Sequence, residues 1–155
     1  MVASKGRNDQ SKTMADALGR VLANTYTLYL KTHNYHWNVT GPQFASLHAL
    51  FEQQYTELSA AVDMVAERIR ALGHVAPGSY SAYGKLSEIK EAPDSPPEAM
   101  AMVRELAADN EALTRLAEKA NGIADEVGDV ASGDMMIERM QAHAKAAWML
   151  RAHLE

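Results

Sequence analysis

Cysteine is absent from this chain of 155 residues. Its absence excludes disulfides, thiolate metal ligands, iron–sulfur clusters and a cysteine nucleophile, so any metal must be held by nitrogen and oxygen donors. Phenylalanine is nearly missing, with only Phe44 and Phe51, whereas alanine, leucine and methionine are plentiful, a mix that favours helices over sheets. The apolar runs fall short of a bilayer span, and the opening MVASKGRNDQSK lacks the apolar core of a signal peptide, so the expectation is a cytoplasmic protein without a membrane role. Positive charge is also short. The formal net charge of −5 argues against nonspecific nucleic-acid binding by the body of the molecule. What remains is 47% hydrophobic and 23% charged, ordinary for a single domain able to bury its own core.

Apolar residues recur at helical spacing in four segments, with no internal repeat and no low-complexity stretch. A first helix is expected from about Ser11 to Asn38, with Leu18, Val21, Leu22, Thr25, Tyr29 and Thr32 on one side. The second is the clearest. Phe44, Leu47, Phe51, Tyr55, Leu58, Val62, Val65, Ile69 and Leu72 alternate steps of three and four, with Thr40 to Gln43 readable as a capping box and Gly73 as a left-handed stop. The third has a start signal in SPPE, Ser95 as N-cap with Glu98 answering it, and runs through Val103, Leu106, Leu113, Leu116 and Ala120 towards Gly122. The fourth, carrying Met136, Met140, Ala147, Leu150 and Leu154, begins between Asp129 and Asp134. Between the second and third, residues 73–94 are too many for a hairpin turn, and SYSAYGKLSE within them reads as a short helix. Four long helices with one long middle crossover describe an all-α, ferritin-like four-helix bundle over residues 13–155, preceded by a mobile polar and basic tail, residues 1–12.

The segment NYHWNVTGPQFASLH sets His36 and His48 twelve positions apart around a Gly-Pro break. Taken alone, either histidine reads most simply as a packing or surface residue. AVDMVAERI adds Asp63 and Glu67, four apart on one face of the second helix, which taken alone read as a solvated acidic edge bridging to Arg68 or Arg70. His48 and Asp63 lie about 22 Å apart along a helix axis but only about 60° apart around it. They face a similar way and cannot share a metal within one chain. Two such helices packed antiparallel about a twofold axis would set position 48 of one chain opposite position 63 of the other, so the spacing permits two equivalent sites at a dimer seam. The intrachain alternative, paired ExxH motifs on two helices, is missing from the sequence.

The segments HWNVTGPQFASLH and DMVAERIRALG, with their mutual spacing, strongly resemble the Dps family, the mini-ferritins named as DNA-binding proteins from starved cells. The resemblance spans about Met14 to Leu154, continuing more weakly through SYSAYGKLSEIKE and AWMLRAHLE. It implies a hollow homododecamer with ferroxidase sites at twofold interfaces, oxidising Fe(II) with hydrogen peroxide in preference to dioxygen and storing Fe(III) inside, with no organic cofactor. Carried over by motif position, His36 and His48 would be ligands from one subunit and Asp63 and Glu67 ligands from its mate, together catalytic and metal-binding. Glu52, one turn after His48, would assist a second, weaker iron. Trp37 would stand just behind the ligands, although a buried interface anchor is its plainer account, and His33, one turn before His36, would stand behind the ligands or at the surface.

The resemblance also places acidic threefold channels near the start of the fourth helix, where ADEVGDVASGD offers Asp125, Glu126, Asp129 and Asp134, with Asp134 the best match. Carboxylates that merely complement a helix N-terminus explain the same residues. DNA contacts in such proteins commonly come from a lysine-rich tail, and here Lys5, Arg7 and Lys12 stand against Asp9, a modest charge that avidity over many copies would have to amplify. Three readings follow: an iron-oxidising, peroxide-detoxifying storage cage; a DNA-binding, nucleoid-associated protein with a secondary iron role; and a bundle holding a non-redox metal such as zinc.

Overall fold

In the computed structural model, residues 2–155 are described, with side chains described from residue 6 onward. They form five helices and no strand: α1 (Val2–Asn38), α2 (Phe44–Ala71), α3 (Tyr80–Leu86), α4 (Ala99–Val127) and α5 (Val130–Arg151). Among the described residues no helix is long and apolar enough to cross a membrane.

Side-chain contacts fix the helix directions. His36 meets His48 while Tyr29 meets Tyr55, so α1 and α2 run antiparallel. Lys31 bonds Asp109 and Tyr35 bonds Glu105, which sets α4 antiparallel to α1 as well. Arg68 reaches Asp129 and Ser132 while Gln54 reaches Ala146, so α5 opposes α2. It follows that α2 and α4 are parallel, and residues 72–98 must carry the chain back along the bundle between them. The ferritin-like bundle with a single long crossover therefore stands as expected.

The crossover is held by a buried asparagine. Asn24 Oδ1 accepts from the backbone N–H groups of Glu88 (2.9 Å) and Ile89 (3.0 Å) and from the Ser87 hydroxyl (3.2 Å), while its amide donates to the Arg20 carbonyl. Ser79 starts α3 by accepting from Ala82 N–H. The apolar stripes read from the sequence form the core: Leu18, Leu22, Leu47, Phe51, Leu106, Leu113, Met136 and Leu150 are fully buried, each contributing roughly 1.5–3 kcal/mol of burial free energy. Phe44 is the exception, exposed at the start of α2.

Four boundaries differ from expectation, each for a local reason. α1 begins at Val2 and not near Ser11, so residues 2–10 extend the expected helix. Their side chains from residue 6 to residue 10 are exposed, so no apolar period announces the helix, while Thr13 back-bonds to the Asp9 carbonyl and Lys12 pairs with Asp16. Thr40 does not cap α2. Gly41 turns the chain with a φ of +105°, which a first-turn helical residue cannot adopt, so the helix begins only at Phe44. Ser95 does not cap α4, because Ser95 and Pro96 each precede a proline and are driven out of the helical region; the helix starts after Glu98, whose ψ is 160°. Gly122 does not stop α4 either. The helix runs on to Gly128, whose φ of +73° lets Asp129 N–H reach the Ala124 carbonyl and Gly128 N–H reach that of Asp125. Gly73 closes α2 in the same way, as expected.

Candidate metal centre

The five-residue connection between α1 and α2 places the last turn of one against the first turns of the other. There the two histidines meet. The His36 and His48 rings stack with centroids 3.8 Å apart and planes 15° from parallel. His36 Nδ1 lies 2.7 Å from the His48 carbonyl oxygen, and His48 Nδ1 lies 2.8 Å from the His36 carbonyl oxygen. A carbonyl oxygen only accepts, so both Nδ1 atoms carry the proton and donate. The tautomer is thereby fixed, and in each neutral ring the Nε2 lone pair is left for an outside partner, the arrangement a metal-ligating histidine requires. His36 lies in the last turn of α1, where a carbonyl has no intrahelical donor, so the same bond also satisfies that helix end.

A second layer of rings fixes this pair from behind. Phe44 stacks on His48 at 5.0 Å and Tyr55 lies edge-on to His36 at 5.1 Å. His33 sits between Tyr55 (4.1 Å) and Trp37 (3.9 Å). Burial, reinforced by the neighbouring His36, holds the His33 imidazole below its ordinary pKa, so this ring is neutral at physiological pH. Trp37 itself is 59% exposed in the single chain.

Asp63 and Glu67 are exposed on α2, well removed from the histidines. Among the described residues of one chain, no three His, Cys, Asp or Glu side chains gather closely enough to hold a metal ion. The exposed face of α2 between the histidine and the carboxylates carries Ala49, Thr56, Ser59 and Ala60, with Glu52 among them. Small side chains of this kind let a second helix approach closely, and Asp63 and Glu67 stand at the far end of the strip.

Comparison with known proteins places this geometry. A family model described as a ferritin-like domain matches residues 15–155. The chain is 39% identical over 142 residues to the DNA protection during starvation protein of Brevibacillus brevis, covering 92% of this chain and 95% of that one. The chain belongs to the Dps family of ferritin-like proteins. Solved structures agree: Dps of Vibrio cholerae O1, described as a member of a broad superfamily of ferritin-like diiron-carboxylate proteins, superposes with a TM-score of 0.91 at 35% identity, covering 96% of this chain and 92% of that one. Dps of Bacillus brevis gives a TM-score of 0.91 at 37% identity, covering 95% and 98%.

Elsewhere in this Dps chain the sequence-derived residues fall into different settings. Asp129 caps α5, accepting from Ser132 N–H and from the Arg68 guanidinium at 2.8 Å. Burial raises its carboxyl pKa, but the Ser132 and Arg68 contacts outweigh that and hold it below the usual range. The capping account therefore fits Asp129, whose charge is matched by Arg68. Asp125, Glu126 and Asp134 are exposed around the same corner. Lys12 is paired with Asp16, Arg7 is exposed on α1, and the side chain of Lys5 lies outside the described residues.

Sequence reasoning missed one polar cluster in the core. Arg139 on α5 pairs with Glu57 on α2 through two hydrogen bonds and donates to His143 Nε2 at 3.2 Å. His143 Nδ1 then donates to Asn110 Oδ1 at 3.0 Å, and Asn110 donates to the Leu106 carbonyl at 2.8 Å. Burial, with the Arg139 charge beside it, pushes the His143 pKa down to about 3. The helical spacing of Arg139 and His143, four apart among apolar positions, was the available signal.

Proposed function

We propose that this Dps chain oxidises ferrous iron with hydrogen peroxide at sites shared between two copies, and stores the ferric product inside a hollow oligomer, sparing the cell oxidative damage. The observation that carries the reading is the reciprocal His36–His48 lock, which leaves two imidazole Nε2 donors without a carboxylate of their own chain. Asp63 and Glu67 of a second copy supply the missing oxygens if two α2 helices pack antiparallel across the small-residue strip. Glu52 adds a carboxylate one turn from His48 for a second ion.

Each group has a distinct role. His36 and His48 bind the incoming ferrous ion through neutral nitrogen, and their locked Nδ1 atoms fix where it sits. Asp63 and Glu67 bring anionic oxygens that favour the ferric over the ferrous ion, which assists electron loss. A peroxide takes one electron from each of two ferrous ions as its O–O bond breaks. Hydrolysis of the ferric product releases protons, which exposed carboxylates can pass to water. Asp125 and Asp134, repeated around a threefold axis, would concentrate negative potential and draw cations inward, with Asp129 secondary because Arg68 balances it.

The test is anaerobic loading with ferrous iron, addition of peroxide, and ferric absorbance followed beside His36→Ala and Asp63→Ala. Rapid oxidation lost in both variants supports the reading; a parent rate equal to that of a protein-free control sinks it. A second reading is favoured by the similarity to a DNA protection during starvation protein. In it, Lys5, Arg7 and Lys12 on the α1 extension bind DNA through avidity over many copies. Deleting residues 1–12 should then abolish DNA retardation while iron oxidation continues; unchanged retardation excludes that extension as the contact.

A further inference from the structure

The polar cluster that joins α2, α4 and α5 has the donor set of a metal site, with its cation supplied by the chain itself. Both Glu57 carboxylate oxygens accept from the Arg139 guanidinium, one of them at 3.1 Å, and His143 Nε2 accepts from the same group at 3.2 Å. Asn110 Oδ1 takes the His143 Nδ1 proton at 3.0 Å. The Nε2 lone pair is thereby fixed towards Arg139, as an outer partner fixes a metal-bound imidazole. His143 is 1% exposed and Arg139 8%. Burial, the largest cause of its lowered pKa, keeps the His143 ring in the neutral form that ligates metals.

The surroundings also suit a cation. Glu57 stands three residues after Gln54 on α2, and His143 four residues after Arg139 on α5, so each helix presents a pair of polar side chains on one face, close to the spacing by which ferritin-like bundles hold metals in their interior. Gln54 is 8% exposed, and its amide oxygen accepts no hydrogen bond among the described residues, which leaves a neutral oxygen donor one turn from Glu57. A cleft of about 260 Å³ between α2 and α5, walled by Gln54, Glu57, Leu58, Asn110, Ala146 and Met149, leads in from solvent. An ion entering it would find carboxylate, amide and imidazole donors were it not for Arg139. That guanidinium already pairs with Glu57 and fills the His143 lone pair, so a divalent cation meets like charge in a buried place.

We propose that Arg139 determines where this protein binds iron: its guanidinium occupies a divalent-cation site built by Glu57 and His143 in the bundle core, and so confines iron to the seam between copies. The core site stands on its own geometry, whereas its effect on iron rests on the reading of His36, His48, Asp63 and Glu67 as iron ligands. Charge separates this role from packing. An uncharged side chain of similar length at position 139 admits a metal ion to Glu57 and His143, and a different cation at the same position still excludes it.

Cobalt(II) reads the core site without any iron chemistry, since its visible absorption changes when an imidazole nitrogen enters its coordination shell. The full chain carries His36→Ala and Asp63→Ala throughout, which strips the seam of ligands, and Arg139→Gln or Arg139→Lys is added. Arg139→Gln should take up one Co(II) per chain more than the same chain with Arg139 in place, and a further His143→Ala should remove it. Arg139→Lys should take up none. Equal uptake with and without Arg139→Gln overturns the proposal, and so does uptake by Arg139→Lys. Should Arg139→Gln not fold alone, refolding with Co(II) decides: helix recovered with the metal supports the site, and none recovered overturns it. With His36 and Asp63 restored, anaerobic Fe(II) binding by Arg139→Gln should exceed the parent's by one ion per chain; equal binding overturns the confinement of iron. A parent that binds no Fe(II) refutes the seam reading instead, and the cobalt result still decides the core site.

Discussion

His143 should make the fold sensitive to mild acid, in an amount the structure sets. Its ring is buried between Arg139, which donates to Nε2, and Asn110, which accepts from Nδ1. A second proton on Nε2 would lose the Arg139 bond and bring two cations together, which is why burial and that charge push the pKa down to about 3. In the unfolded chain the same ring titrates near its reference value of about 6.5. Between those values the unfolded state holds the proton and the folded state refuses it, so stability falls as pH drops, by about 1.4 kcal/mol per unit. From pH 6.5 to pH 5 the loss is about 2 kcal/mol, worth roughly 4–8 °C in Tm for a domain of this size. His143→Gln keeps an amide that can accept from Arg139 and donate to Asn110, but it does not titrate. Thermal unfolding of parent and variant at several pH values, at matched protein concentration, should show the parent losing that much more than the variant. Parallel losses would refute the assignment of a neutral, buried His143.

Two further perturbations test the frame around the site. Asn24→Ala strands the buried Ile89 N–H and removes the acceptor of the part-buried Glu88 N–H, and should cost about 1–3 kcal/mol, read by denaturant unfolding; hydrogen exchange should show those amides opening first. Asp129→Ala removes the α5 cap and the Arg68 pair together, and should cost about 1–2 kcal/mol at pH 7. Because the Asp129 carboxyl is held below its usual range, its contribution is present above the ordinary carboxylate pKa and disappears as pH falls through the lowered one, so parent and variant should converge in acid.

The bundle was legible because its core is periodic. Leu47, Phe51, Leu58, Val65 and Ile69 recur in steps of four and seven and are all buried in α2, so helix existence followed from spacing alone. The boundaries were legible only where one residue decides them, as Gly73 does. At Thr40 and Ser95 a capping pattern was present, but Gly41 and the Pro96–Pro97 pair overrode it through backbone sterics that a motif does not encode. The histidine and carboxylate positions could be named from the sequence, whereas the reciprocal Nδ1 bonds could not, since they need the α1–α2 connection to bring two carbonyls to two rings. The Arg139–Glu57–His143–Asn110 cluster joins three helices, and no local pattern in any one of them announces the other two.

The central claim is that each site combines histidines of one chain with carboxylates of another, and complementation between two inactive proteins tests it most directly. His36→Ala/His48→Ala and Asp63→Ala/Glu67→Ala are purified separately, then unfolded and reassembled together. In a mixed pair, one of the two seam sites takes its histidines and its carboxylates from the chains that retain them. Random pairing at equal amounts should thus restore about a quarter of the parent's peroxide-driven ferric formation, from two proteins that have none alone. A mixture as inactive as its components, in co-assembled particles confirmed by mass, would contradict the shared site and require the ligands to come from within a single chain.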